Sequence, residues 1–128
     1  MTTTKFLCLC YYDHASFKAR TPADEATVRN ACAPHDKALR ATGRLVMNSS
    51  LAVPDTTRVI RPTSSKPVTT KGAYAPTPEP IGAMFIVDAP EIDEAVRIAS
   101  LHPSANLALF GGGIEVRAFD YFELSKVE

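Results

Sequence analysis

Two segments of this chain are apolar on both faces of an extended strand, and this feature restricts the possible folds more than any other. Residues 5–12 read KFLCLCYY and residues 81–87 read IGAMFIV, with no proline and no charged residue after Lys5. Successive side chains of a strand point to opposite faces of its sheet, so both segments place apolar groups on each side. Two such strands require apolar cover above and below the sheet that contains them.

A long helix is predicted between these two strands, over residues 22–42. Thr21 is the expected N-cap, Pro22 stands at the first helical position, and Gly43 is the expected C-terminal stop. The side chains of one stripe of this helix are predicted to face the core, and they are Val28, Cys32, His35 and Leu39.

Proline and glycine positions divide the rest of the chain. Strands are predicted at residues 44–53, 57–61, 68–70 and 114–122, and a second helix begins after residues 88–91 and ends at Pro103. The expected inner stripe of that helix consists of Ile92, Ala95, Val96 and Ala99. Three connections are predicted, at residues 13–20, 71–80 and 104–113. The second holds three prolines, at positions 76, 78 and 80, and is either a stiff pocket rim or a plain connector.

This order of elements predicts an α+β fold, the ferredoxin-like split βαβ arrangement with an antiparallel sheet. Both helices then cover one face of the sheet and leave the other face bare. A second copy of the same sheet is the simplest cover, so a homodimer of the dimeric α/β-barrel type is expected. The length of 128 residues suits one domain, spanning residues 1–128 with a loose tail from about residue 123.

Composition and charge exclude several classes of protein. The chain is 45% hydrophobic and 22% charged, and its 14 basic residues offset its 14 acidic residues. Without a net positive charge, nucleic acid and membrane surfaces are not expected partners. No apolar stretch is long enough to span a bilayer and no signal peptide precedes residue 5, so a cytoplasmic location is expected.

The three cysteines, Cys8, Cys10 and Cys32, are interpreted as buried, reduced thiols. Cys-x-Cys alone is too few ligands for a metal site, so none is expected. The triple glycine at residues 111–113 precedes a predicted strand and lacks a following lysine, which argues against a phosphate-binding loop. No cofactor is expected.

The segments described so far resemble the YCII-related superfamily, and within it the branch named after an Asp-Gly-Pro-Phe motif, the DGPF domain. The likeness covers almost the whole chain. It is carried by residues 6–13 (FLCLCYYD), 43–45 (GRL), 51–58, 82–88, 92–95 (IDEA), 102–103 (HP) and 114–117 (IEVR). The resemblance implies a protein that works without a cofactor.

The sequence departs from the family pattern at the positions that matter most for function. The eponymous motif is replaced by Lys71-Gly72-Ala73-Tyr74, which keeps the glycine and an aromatic residue but substitutes a base for the acid. The resemblance implies a histidine on the first helix and an aspartate before the proline that ends the second. Cys32 and His102 stand there instead. Losing both members of a His-Asp pair argues against inherited acid–base chemistry.

The remaining candidate site residues fall into two groups. His102, His35 and Asp13 are the candidates for catalysis: two imidazoles that could act as bases and a carboxylate that could orient one of them. Each also has a structural interpretation, because His35 lies on an apolar stripe and Asp13 can cap a turn. A helix C-terminus would favour the imidazolium form of His102, whose alternative role is to cap free carbonyls. The candidates for ligand binding are Tyr11, Lys71, Tyr74, Glu79 and Arg117.

Two functions from different classes follow. The first is a small-molecule binding protein, with a pocket between the sheet, the loop 71–80 and a dimer partner. The second is a cofactor-independent acid–base enzyme of the lyase, isomerase or dehydrohalogenase type, acting on a small ring or carbonyl compound. The fold supports either function, and the eroded His-Asp positions favour binding.

Overall fold

The computed structural model describes residues 2–126, which form six strands and four α-helices. The strands are β1 (Thr4–Tyr11), β2 (Leu45–Ser50), β3 (Arg58–Arg61), β4 (Val68–Lys71), β5 (Ile81–Ala89) and β6 (Gly113–Ala118). The helices are α1 (His14–Lys18), α2 (Pro22–Ala41), α3 (Ile92–Ala99) and α4 (Pro103–Asn106). None of these helices is both long and apolar enough to cross a membrane.

The main sheet is antiparallel and has the strand order β2-β5-β1-β6. The two segments that are apolar on both faces, β1 and β5, are its two inner strands. Strands β3 and β4 pair with each other in a separate hairpin, which confirms the predicted return of residues 68–70. The fold is therefore of the α+β class with an antiparallel sheet, as predicted.

One face of the sheet carries the hydrophobic core. The side chains of Phe6, Cys8 and Cys10 on β1 lie beside those of Phe85 and Val87 on β5, and all five are 3% exposed or less. Ala95, Ile98 and Ala99 of α3 and Leu39 of α2 extend the core. The alanines of α3 let the helix backbone approach the sheet closely. Helix α3 supplies most of the packing on this face of the sheet.

The opposite face carries a second apolar set that is not part of this core. Leu7 pairs with Ile86 and Leu9 with Met84 across β1 and β5, and these side chains alternate with those of the core. On the neighbouring strand β6, Arg117 lies beside Leu7 and Glu115 beside Leu9. This face is thus an apolar patch with one exposed acid and one exposed base along its edge.

The capping prediction for α2 is confirmed. The Thr21 hydroxyl accepts a hydrogen bond from the Asp24 amide at 3.2 Å, and the Asp24 carboxylate accepts one from the Thr21 amide at 2.9 Å. This reciprocal pair satisfies two amides that a helix start leaves free. It sets the first turn of α2 at residue 22 as expected.

Three predicted elements are corrected. Residues 13–20 are not only a connection: the Asp13 carboxylate caps α1, and Phe17 packs edge-on against Tyr12, which supplies the cover a short helix needs. In α3, Ile92 and Val96 are 46% and 45% exposed, because the helix turns Ala95, Ile98 and Ala99 to the sheet instead. Residues 104–113 include most of α4 and a 3₁₀ turn at Ala108–Phe110.

The ends of two strands also differ from prediction. Strand β2 ends at Ser50 and does not extend to residue 53. The next residue, Leu51, still donates a backbone hydrogen bond from its amide to the Gly82 carbonyl. Strand β6 stops at Ala118, after which the chain passes into bends. Residues 123–126 contain neither helix nor strand, and the rest of the expected loose tail, residues 127 and 128, lies outside the described residues.

Candidate functional site

A cavity of about 870 Å³ lies between α2 and the sheet. Its walls come from α2, β2, the segment after β2, the end of β1, the start of β5, and α4. The volume falls within the range of about 300–1,000 Å³ that holds small organic ligands. The cavity exists because α2 does not pack closely on this part of the sheet. Toward β6, on the same face of the sheet, α3 fills the corresponding space.

A charged row of α2 faces this cavity. Cys32, Asp36 and Arg40 all line it, and their spacing of four residues places them on one face of the helix. The inner stripe predicted from the sequence coincides with this row only at Cys32. Of its other members, Leu39 is buried in the core and His35 does not line the cavity. Across the cavity stand the polar side chains of β2, Asn48 and Ser50. Asp36 is partly buried and Arg40 is exposed, so this row forms a charged wall that a polar ligand can reach from solvent.

Arg20 lines the same cavity and is one of its least exposed charges, because only 11% of its side-chain surface is accessible. Its guanidinium lies 5.3 Å from the ring centre of Phe17 and 5.2 Å from that of Phe110. The nearest carboxylate is that of Glu25, at 3.8 Å. The sequence analysis missed Arg20 because it lies in a segment interpreted as a connection.

His102 also lines the cavity, and it is 8% exposed. Its Nδ1 accepts a hydrogen bond from the Ser104 amide at 3.0 Å and so caps α4, and its ring stacks on Phe85 at 4.5 Å. Burial lowers the pKa of His102, although the nearby Asp36 carboxylate opposes this. The imidazole is thus held neutral with its proton on Nε2.

This placement corrects the expectation that a helix C-terminus would favour the cation of His102. The side chain accepts a hydrogen bond at the start of α4 and does not donate to the carbonyls at the end of α3. An imidazole whose Nδ1 lone pair is already used can donate from Nε2, but it cannot accept a proton without losing the cap. His102 is therefore suited to hydrogen-bonding a ligand.

The other two candidates for catalysis lie outside the cavity wall. The Asp13 carboxylate accepts hydrogen bonds from the Ala15 amide at 3.2 Å and from the Ser16 hydroxyl at 2.8 Å, so it serves α1 as a cap. His35 is partly buried on a different face of α2 from the charged row. The structure thus does not bring Asp13, His35 and His102 together.

The ligand-binding candidates are divided between three places. Tyr11 and Glu79 line a small groove of about 340 Å³, where the Tyr11 hydroxyl donates to Glu115 at 3.2 Å. Burial and the Glu115 carboxylate raise the pKa of Tyr11. Tyr11 also reaches the wall of the main cavity.

The remaining ligand-binding candidates lie on exposed strands or turns. Lys71 is the last residue of the β3–β4 hairpin. Tyr74 is 70% exposed, and the Arg61 guanidinium carbon lies 4.2 Å from the centre of its ring. Arg117 is exposed on β6. From the loop 71–80, only Thr77 and Glu79 line either cavity, and both belong to the small groove.

The three cysteines do not share one environment. Burial raises the pKa of Cys8 to about 12 and that of Cys10 to about 11, so both thiols stay protonated as interpreted from the sequence. Cys32 is only partly buried and faces the cavity. Burial and Asp36 raise the pKa of Cys32, whereas Arg20 opposes the shift, so both charges lie near this sulfur.

Fold and site together define an α+β domain with a half-open cavity that is walled by one charged helix face and one polar edge strand. The chain belongs to the YCII-related family: the YCII-related domain matches residues 4–119. The match includes every strand and helix described above and ends before the tail. A comparison with curated proteins gives no match.

Proposed function

We propose that this chain is a small-molecule binding protein whose ligand occupies the cavity between α2 and the sheet. The observation that carries the proposal is the row Cys32, Asp36 and Arg40, which turns one partly buried and one exposed charged group toward a half-open cavity of about 870 Å³. A partly buried carboxylate such as that of Asp36 is unfavourable unless it is paired or solvated. A cavity that admits water and a polar ligand provides that solvation.

The alternative, an acid–base enzyme, has weaker support. A general base requires a free lone pair directed at the substrate, and Nδ1 of His102 is used by the Ser104 amide. Asp13 and His35 line neither cavity. Binding without proton transfer therefore accounts best for the arrangement of these residues.

Filling the cavity is expected to abolish binding of an apolar probe. The fluorescent amine N-phenyl-1-naphthylamine is neutral and smaller than the cavity, so the unmodified chain should bind it with enhanced emission. The Cys32→Trp variant places an indole in the space the probe would occupy and should lower its affinity about tenfold or more.

Arg29→Trp is the matched control, because Arg29 is exposed on the same helix and does not line the cavity. It should bind the probe as the unmodified chain does. Equal binding by Cys32→Trp and Arg29→Trp would contradict the proposed location, and absence of binding by the unmodified chain would contradict the proposal itself.

A homodimer formed through the second sheet face is part of the proposal. Leu7, Leu9 and Met84 support it, since all three are only partly buried and lie outside the core cluster, whereas their neighbour Ile86 is already 6% exposed in the single chain. Arg117 and Glu115 lie along one edge of the patch, two residues apart on the same face. A two-fold axis reverses their order in the second copy, so each arginine can meet the other chain's glutamate.

Light scattering tests the dimer directly. The expected mass is twice the chain mass of 13.8 kDa, and Leu9→Glu should shift it to the single-chain value because it buries a charge in the interface. A mass of 13.8 kDa for the unmodified chain at micromolar concentration would rule out the sheet-on-sheet dimer.

The finer structural assignment has support of the same kind. The order β2-β5-β1-β6 is the one that a ferredoxin-like split βαβ domain has, with α2 joining β1 to β2 and α3 leading from β5 toward β6. Membership of the Asp-Gly-Pro-Phe branch is supported by Gly72, whose φ of +103° explains why the glycine remains in an otherwise altered motif. We propose both assignments, with one domain over residues 1–128.

A further inference from the structure

We propose that the ligand of the main cavity is an organic acid whose carboxylate pairs with the guanidinium of Arg20. This inference rests on the proposed function, because it names the class of molecule that the cavity binds. It is carried by the burial of Arg20, its lack of hydrogen bonds and the charges around it.

Arg20 is almost fully buried and has unused donors. Its side chain is 11% exposed, and its guanidinium makes no hydrogen bond to any residue between 2 and 126. The ion pair with Glu25 is long, at 3.8 Å, and the Glu25 side chain is itself 40% exposed. A guanidinium has five N–H donors in a planar fork, which matches the two oxygens of a carboxylate. None of its nitrogens is both fully buried and without a partner, so the unused donors of Arg20 are open to the cavity and can pair with an anion there.

The two aromatic neighbours of Arg20 hold it in place without satisfying it. Phe17 and Phe110 contact the guanidinium through their rings, at 5.3 and 5.2 Å from the ring centres. Such contacts attract the cation but accept none of its N–H groups in a normal hydrogen bond. They also reduce the solvent-accessible surface of the side chain to 11%, and a charge–charge contact is stronger where less water surrounds it. The surroundings of Arg20 therefore orient its donors and strengthen its pairing with an anion.

The charges of the cavity wall favour an anion over a cation. Among the residues that line it, Arg20 and Arg40 are positive and Asp36 is negative. His102 adds no positive charge, because its Nδ1 accepts from the Ser104 amide. Within the described wall, positive charge is thus in excess.

The rest of the wall indicates what the acid is attached to. Val46, Leu51 and Val53 line the cavity and are 38%, 48% and 39% exposed, so an apolar surface extends to its mouth. A ligand that is only an acid group would leave this surface in contact with water. An apolar group attached to the carboxylate would bury this surface, and each Å² of buried apolar surface contributes about 25 cal/mol to the binding free energy. The ligand class is therefore an aromatic or aliphatic monocarboxylic acid.

Competition between two molecules of equal shape tests this inference on the full chain. Both 2-naphthoate and its neutral amide, 2-naphthamide, would be used to displace N-phenyl-1-naphthylamine. We expect 2-naphthoate to displace the dye at about tenfold lower concentration, because only the acid forms a charge-assisted pair with Arg20. In Arg20→Gln this difference should disappear, as measured by the ratio of the acid and amide concentrations that displace half of the dye, with the dye affinity determined separately for each variant.

Arg29→Gln is the matched control, since it removes one exposed positive charge outside the cavity and should keep the tenfold preference. If Arg20→Gln proves unfolded, Arg20→Lys tests the same idea: it keeps the positive charge but removes the planar fork of donors, so it should lower the preference for the acid. Equal displacement by acid and amide would overturn the inference and leave the proposed function intact. If the dye itself does not bind, the proposed function fails instead.

Discussion

Replacing Phe85 by alanine is expected to lower the free energy of unfolding by about 3–5 kcal/mol. Phe85 is 0% exposed, lies on the inner strand β5 opposite Cys8, and stacks on the His102 ring at 4.5 Å with the two planes 6° apart. The substitution removes a whole ring from the core and leaves a void that neighbouring side chains fill only in part. Urea denaturation followed by circular dichroism measures the change.

Leu124→Ala is the control for Phe85→Ala, because Leu124 is 76% exposed in the tail. Its loss of stability should be about 0.5 kcal/mol or less. A loss below about 1 kcal/mol for Phe85→Ala would mean that this part of the core repacks easily and that His102 does not depend on the ring. The proposed hydrogen-bonding role of His102 would then lack its rigid support.

Gly112→Ala is expected to cost about 2–4 kcal/mol, the second largest effect. Gly112 has a φ of +59°, which favours glycine, and a Cβ there would overlap the carbonyl of Tyr11 at the end of β1. Backbone atoms cannot move aside as a flexible side chain can. The pairing of Tyr11 with Gly113 should therefore be disturbed, and with it the wall of the small groove.

Gly43→Ala separates backbone strain from steric overlap. Gly43 has a φ of +69° after the end of α2, and a Cβ there would meet no atom within 4 Å. It should cost about 1 kcal/mol, from strain alone. Thermal and urea unfolding of the two variants give the comparison, and equal losses would show that the space around Gly112 accepts a methyl group.

The elements with strong local signals could be predicted from the sequence. Strands β1 and β5 were located within one or two residues because an apolar run without breakers leaves few alternatives. The start of α2 was located because Thr21 and Asp24 bond to each other's backbone amides, a local interaction. Helix α1 was missed because its five residues are stabilised by contacts such as that of Phe17 with Tyr12.

The candidate site was predicted less well, since its residues come from distant parts of the chain. His102 was predicted as a candidate for catalysis, and it lines the main cavity, but its protonation depends on the Ser104 amide and on burial against Phe85. Asp36 and Arg40 were overlooked. Cys32, Asp36 and Arg40 follow one another at intervals of four residues, and this pattern alone places all three on one face of a helix. Arg20 had no signal in the sequence, because its burial depends on Phe110, ninety residues away in the chain.

The sequence alone determined the strands, the capped helix and the need for cover on both faces of the sheet, because these depend on the alternation of apolar residues and on contacts within four residues. Only the tertiary structure decided which face of α2 meets the sheet. That choice depends on Leu39 entering the core beside α3, which turns Asp36 and Arg40 toward β2. A rotation about a helix axis leaves the local hydrogen bonds unchanged, so no local pattern records it, and the packing of distant side chains sets it.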